Sequence, residues 1–339
     1  MRTDALLLDR QLTMVLGTRE LAEPAPGEAL VRVAWAGVCG SDLHVLKTGA
    51  WVSYWPATLG HEVVGVVEEC PGGEVPCGTT VVVDSRLPCG ECPGCASAPS
   101  LCHQMSWLGE ARPGGFARHT VVPVTSLVTC PTHLEPAIAV LAEPLAVAMH
   151  AVSRLSRRPD DALIIGYGPI GALVHLELVR RWPGLAVSIS EPAADRRRLG
   201  LALGALPGPE QPSATGGPGG GGHRAHRGFG LVVDAAGYPG SLTDACVCAA
   251  NAGTVLVVAL SEETVPLVPA RVAERTLTIA GSIGFDDELG KALEVLAAAP
   301  DRYRPLVSEA VLLEEAADRL ASLSRSPSAG KVVVRPWQE

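Results

Sequence analysis

The chain has 339 residues, 47% hydrophobic and 19% charged, with a net charge of −9. That composition is ordinary for a folded globular protein, and the length suggests roughly two domains of about 150 residues each. The absence of a dense Lys/Arg block argues against nucleic acid as a partner, since a phosphate backbone needs a basic face.

The opening MRTDALLLDRQL has a single short apolar run between charged residues, which is no signal peptide, and no stretch reads as a membrane span. The expected setting is a reducing cytoplasm, where the ten cysteines serve as thiols or metal ligands rather than disulfides. Up to about residue 150, β-branched runs (ALVRVAWAGV, EVVGVVEE, TTVVVDS, ARHTVVPV) alternate with Gly/Pro turns. This pattern predicts an antiparallel, barrel-like β domain.

Within that region, GVCGSDLH and LGHEVVG bring Cys39, His61 and Glu62, and LAEPLAVAMHA adds a carboxylate at Glu143. A Cys, a His and a carboxylate leave one position of a tetrahedral zinc open, as an alcohol-polarising metal requires. The loop between these motifs carries Trp51, Tyr54 and Trp55, whose faces suit the C–H faces of a sugar or cyclitol ring and equally suit packing. Asp42 and Glu110 are candidate partners for a substrate hydroxyl or amine.

The stretch LPCGECPGCASAPSLC holds Cys89, Cys92, Cys95 and Cys102 at Cys-x2-Cys-x2-Cys-x6-Cys spacing. Four thiolates on a short Gly/Pro loop suit tetrahedral S₄ zinc. A redox pair would use one C-x-x-C opening a helix. A shell filled by protein leaves no room for substrate, so this lobe is structural and the chemistry lies elsewhere.

From Asp161 the texture changes to strand then helix, ALIIG into PIGALVHLELVRRW and LAVSISE into AADRRRLGLALGA, followed by the strands FGLVVDAAG, AGTVLVVAL and TLTIAGSIG. Alternation at this spacing predicts a parallel, doubly wound sheet. Gly166-x-Gly168-x-x-Gly171 follows the first strand and opens a helix at Pro169 and Ile170, the context a dinucleotide fingerprint needs. Glu191 ends the second strand, where a carboxylate favours NAD over NADP. Residues 207–228, with 12 of 22 positions Gly or Pro, predict a flexible loop. Amphipathic helices at ELGKALEVLAAA and LEEAADRLASL precede a last strand, KVVVRP.

Taken in order, GVCGSDLH, GHEVVGVV, the cysteine lobe, EPLAVAMHA and IIGYGPIG resemble the zinc-dependent medium-chain alcohol dehydrogenases, in the polyol, threonine and aminocyclitol dehydrogenase branch. The likeness covers nearly the whole chain. It implies a GroES-like β-barrel catalytic domain over 1–152 with a zinc lobe at about 86–104. A Rossmann NAD-binding domain over 153–284 would follow, and a segment 285–339 would return to the catalytic domain. By that resemblance Cys39, His61 and Glu143 ligate the catalytic zinc, with Glu62 an alternating ligand or a neighbour of the ligands. Ser41 meets the substrate hydroxyl, His44 relays the proton, and Arg196 packs at the adenine ribose.

The family usually places seven residues between the last two lobe cysteines, where this chain has six. The implied activity is reversible oxidation of a secondary alcohol of a polyol, cyclitol or amino-sugar-like substrate with NAD, by a homodimer or homotetramer. A zinc-independent enone or quinone reductase of the same fold would lack the Cys/His/Glu set and the lobe. A non-catalytic NAD-binding protein would have no need of them.

Overall fold

The computed structural model describes residues 1–210, 212, 228–262, 264–323 and 325–338. Most of the Gly/Pro-rich loop expected at 207–228 therefore lies outside the described residues. The chain divides into two compact units, Met1–Ala146 with Asp286–Glu339, and Val147–Phe285.

The first unit is organised by a seven-stranded sheet. Its order is Val307–Leu312, Lys331–Arg335, Glu28–Gly37, Glu62–Glu69, Thr80–Val83 and Leu127–Thr129, with His119–Pro123 also paired to Glu28–Gly37. All pairings are antiparallel except that of Val307–Leu312 with Lys331–Arg335. A parallel pair needs a crossover, and the helix Leu313–Leu323 supplies it. Two register shifts between Glu28–Gly37 and Glu62–Glu69 add twist, as bulges do. The strand order has two ends, so the ring of pairings is not closed among the described residues.

Alternating inward residues (Val31, Val33, Val63, Val67, Val81, Val83, Val332, Val334) join Leu6, Leu8 and Phe116 in one core. The hairpin Arg2–Leu8/Met14–Glu20 and the strand Val307–Leu312 were not anticipated from the sequence. The stretch Pro136–Ser153 is long and apolar enough to cross a membrane by composition alone, and 72% of it is buried within the fold, as in a core helix.

The second unit holds a six-stranded, wholly parallel sheet in the order Leu206–Pro207, Val187–Ser190, Ala162–Ile165, Phe229–Asp234, Ala249–Val257, Thr278–Gly281. Ala162–Ile165 is buried on both faces, which is why it reads as an unbroken apolar run. The chain winds to one side of it through Val187–Ser190 and to the other through Phe229–Asp234. Its carboxyl end is therefore the switch point where ligands of such sheets bind.

Candidate active site

Cys39 precedes the helix Gly40–Thr48, and His61 and Glu62 stand at the start of the strand Glu62–Glu69. Their donor atoms lie within 4.8 Å of one another. Glu143, in the helix Ala142–Ser153, falls outside that set. It is 5% exposed and its Oε1 accepts a 3.0 Å hydrogen bond from Ser85 Oγ. Burial and the neighbouring Glu62 push its carboxyl up to about 7, against the pull of His61 and Ser85. Burial opposes a proton on His61, yet Asp42, Cys39 and Glu143 outweigh it and raise its pKa. The same negative surroundings favour a divalent cation, and the S, N and O donors suit zinc.

Glu62 is fully buried. One oxygen, Oε1, accepts a 2.5 Å bond from Lys331 Nζ, which also donates to the Val38 carbonyl at 3.1 Å. The other, Oε2, is buried with no hydrogen-bond partner among the described residues, an orphaned acceptor of the kind a metal satisfies. Lys331 is 2% exposed. Burial disfavours its charge, but Glu62, Cys39 and Glu143 prevail and hold its pKa above the usual lysine value. Lys331 escaped the sequence reading. Gly37 leaves the space this carboxylate occupies, since a Cβ there would lie 2.0 Å from Glu62 Oε2. Gly37→Ala should displace Glu62 and lower zinc affinity by about 10–100-fold, the usual effect of disturbing a ligand's surroundings, measured by competition with a chelator of known affinity.

Asp42 supports the turns that carry Cys39 and His61. It is 3% exposed, and its Oδ2 accepts from the Cys39 backbone N–H at 2.9 Å and its Oδ1 from that of Gly60 at 3.2 Å. Its Oδ1 also lies 3.7 Å from His61 Nδ1, the position from which a carboxylate orients a ligating imidazole. Ser41 and His44 stand three residues apart on the helix Gly40–Thr48 and so share a face. Ser41 Oγ is buried without a partner among the described residues, and His44 stacks on Trp51 with centroids 4.4 Å apart.

Of the three aromatics in the neighbouring loop, Tyr54 is committed to structure. Its hydroxyl donates to the Thr58 carbonyl at 3.1 Å and accepts from the Thr58 N–H at 3.0 Å. Trp55 packs on the core with Arg10 over its ring. Trp51 alone of the three is exposed, at 41%.

In the lobe, Sγ···Sγ distances are 3.9 Å for Cys89–Cys95, 3.6 Å for Cys92–Cys95, 4.0 Å for Cys92–Cys102 and 3.6 Å for Cys89–Cys102. Four sulfurs at about 2.3 Å from a tetrahedral zinc stand about 3.8 Å apart. The six-residue spacing therefore still closes the cage. The backbone N–H groups of His103 and Cys95 lower the Cys92 thiol to about 6, and those of Cys89 and Gln104 lower Cys102. Burial and the adjacent thiols push Cys95 up to about 12. Four sulfurs this close ionise together only around a cation. Arg86 and Ser100 tie the lobe to Asp286 through bonds of 2.7 and 3.1 Å. Cys92→Ser should remove one zinc per chain and lower the melting temperature while sparing the second metal, checked by elemental analysis and calorimetry.

In the second unit, Gly166 has φ 87°, a left-handed conformation that favours glycine. A Cβ on Gly171 would strike the Gly166 carbonyl oxygen at 2.1 Å, so only glycine allows the helix Pro169–Arg181 to start this close to the turn. Pro169 takes the first helical position, where its missing N–H costs nothing, and Ile170 follows. A Cβ on Gly168 would meet only the Arg196 guanidinium, at 3.6 Å. The space over that residue and the helix N-terminus fits a pyrophosphate.

Glu191 accepts from the Tyr167 N–H at 2.7 Å through Oε2 and from the Ala193 N–H at 2.8 Å through Oε1. Each oxygen keeps a lone pair for a ribose hydroxyl. Arg197 donates to the Glu191 carbonyl at 2.7 Å, and Arg198 pairs with Asp195.

An open Cys/His/Glu cluster and an S₄ cage on one unit, with a nucleotide-type turn on a parallel sheet in the other, define a zinc- and nicotinamide-dependent oxidoreductase. Comparison with known proteins agrees. Residues 25–132 match the model of the alcohol dehydrogenase GroES-like domain. The chain is 30% identical to D-altritol 5-dehydrogenase of Agrobacterium fabrum over 335 residues, covering 94% of this chain and 95% of that protein. It is 33% identical to L-threonine 3-dehydrogenase of Pyrococcus furiosus over 192 residues, 55% of each chain. A protein from Sinorhizobium meliloti 1021 assigned as a zinc-binding dehydrogenase and solved bound to NADP superposes with a TM-score of 0.87 at 28% identity, over 99% of this chain and 100% of that one.

The chain belongs to the zinc-dependent medium-chain alcohol dehydrogenase superfamily, in its polyol and threonine dehydrogenase branch. It is accordingly an NAD(P)-dependent enzyme that oxidises a secondary alcohol.

Proposed function

We propose that the enzyme oxidises a secondary alcohol of a polyol, cyclitol or amino-sugar-like substrate to the ketone, reversibly, with NAD as the preferred cofactor. The observation that carries this reading is the Cys39/His61/Glu62 cluster with its donors within 4.8 Å. Cys39 and His61 hold the metal, and Glu62 and Glu143 provide its carboxylate surroundings. A Zn²⁺ ion held there would supply Lewis-acid polarisation of the alcohol, and a bound nicotinamide would supply the hydride acceptor.

Ser41 Oγ takes the hydroxyl proton and passes it to the imidazole of His44, a ring that can accept a proton at one nitrogen and release one at the other. Trp51 offers its exposed face to the ring or carbon chain of the substrate. Cys89, Cys92, Cys95 and Cys102 hold a structural zinc. Gly166, Gly168, Pro169, Ile170 and Gly171 receive the pyrophosphate, Glu191 the adenine ribose hydroxyls, and Arg196 lies beside them.

The edge strand Thr278–Gly281 leaves Ile279 and the following Ile283 exposed at 37% and 54%. A second copy pairing there gives a homodimer, or a homotetramer by further association. Ten free thiols suit a reducing cytoplasm.

A screen of NADH formation against polyols, cyclitols and aminocyclitols, with zinc measured on the same sample, tests the proposal. Turnover by protein holding two zinc ions per chain supports it. A zinc-free chain inactive across the panel overturns it. Fluorescence titration should show NADH binding more tightly than NADPH, and the reverse order would refute the role given to Glu191.

A further inference from the structure

Glu110 sits where three pieces of the first unit meet. Its carbonyl accepts from the Ser53 N–H at 2.9 Å and from Ser53 Oγ at 3.3 Å, which ties it to the loop carrying Trp51. Its own N–H donates to the Trp107 carbonyl at 3.2 Å. The preceding Gly109 runs so close to the Gly60 turn that a Cβ on it would lie 3.3 Å from the Gly60 nitrogen. Gly114, Gly115 and Phe116 then bond along Thr58, Gly60 and Leu59 at 2.7–3.0 Å. Two backbone bonds and one from the Ser53 hydroxyl thus hold Glu110, in a segment laced to the turn that delivers His61.

Its side chain is in a different condition. The carboxylate is partly buried, and among the described residues no hydrogen-bond donor or cation meets it. His61 and Asp42 lie close enough to act on its charge, and burial raises its pKa. A partly desolvated carboxylate without a donor is costly to keep. Its backbone makes the ties, and its carboxylate oxygens make none among the described residues. Asp42, the other carboxylate of this neighbourhood, has both oxygens taken by backbone N–H groups.

We infer that Glu110 is a specificity-determining residue that accepts a hydrogen bond from a second donor on the substrate, a hydroxyl or an ammonium group near the reacting carbinol. The inference rests on the proposed alcohol-oxidising site, and it deepens that proposal by requiring a vicinal diol or amino alcohol rather than a simple alcohol. Trp51, tied into the same region through Ser53, faces the carbon skeleton between the two polar groups.

The test compares butane-2,3-diol, 3-aminobutan-2-ol and butan-2-ol, which share a carbon skeleton and differ only in the second donor. Calorimetric titration of the zinc-loaded full chain in the presence of NADH reads binding without turnover. The wild type should prefer the diol or the amino alcohol over butan-2-ol by about tenfold or more, the effect of one hydrogen bond to a charged group. Glu110→Ala should bring that ratio to near one. Glu110→Gln, which keeps an acceptor but loses the charge, should abolish a preference for the amino alcohol and only weaken one for the diol, so the two donors are told apart.

A wild type without preference, or a preference that survives in Glu110→Ala with zinc content intact, overturns the inference. NADH formation from the same compounds by the wild type is scored separately. Its absence beside an intact, Glu110-dependent preference counts against oxidation of these compounds and leaves the role of Glu110 standing.

Discussion

Cys39→Ser should lower bound zinc from two ions to one per chain and reduce kcat by about a thousandfold. The thiolate is the strongest donor of the open cluster, and a serine hydroxyl binds zinc weakly at neutral pH. Lewis-acid stabilisation of developing alkoxide charge is worth several kcal/mol, and each 1.36 kcal/mol is tenfold in rate, so losing about 4 kcal/mol gives this factor. The fold should survive, because Cys39 is only partly buried and its backbone N–H, which bonds Asp42, is unchanged. Elemental analysis, steady-state kinetics and circular dichroism on one preparation decide the matter. Full activity with one zinc remaining would remove Cys39 from the site.

The second large effect concerns stability. Lys331→Met should cost the zinc-depleted protein about 3–5 kcal/mol, because it strands the Glu62 charge in a site with no access to water. For a unit of this size that is a fall in melting temperature of about 10 °C. Glu62→Gln on the same background should recover much of the loss, since the buried charge is then absent and the coupling between the two positions is large. Zinc should recover part of it in the single variant by restoring a positive charge beside Glu62. A Lys331→Met protein as stable as the wild type without metal would show that the 2.5 Å contact contributes little.

These two positions also mark the limits of what the sequence discloses. Cys39, His61 and Glu62 are legible because thiol, imidazole and carboxylate side chains cluster in short motifs whose only common purpose is a cation. Gly166, Gly168 and Gly171 are legible because their spacing follows a buried strand. Lys331 is not, for it reads as the polar first residue of KVVVR and meets Glu62 across 269 positions. No local pattern reports such a contact.

The strand Val307–Leu312 is obscured for a related reason. Its partner is parallel and reached through a helix, and Ser308 and Glu309 interrupt the apolar run. Asp42 and Glu110 look alike in the sequence and differ only in which backbone N–H groups the fold points at them. Which of the two carboxylates joins the 4.8 Å set with Cys39 and His61 is likewise geometric. Both motifs announce a Glu, and only the packing brings Glu62 into the tight set while Ser85 holds Glu143.

The placement of Lys331 bears on how the enzyme is made. Every proposed metal ligand has left the ribosome by the time residue 143 emerges, yet the counter-charge beneath them arrives almost two hundred residues later, after the whole of the second unit has been synthesised. Until then Glu62 lacks the ammonium that pairs with it in the folded chain. A truncation that removes Lys331 would take away that counter-charge without touching a single proposed metal ligand.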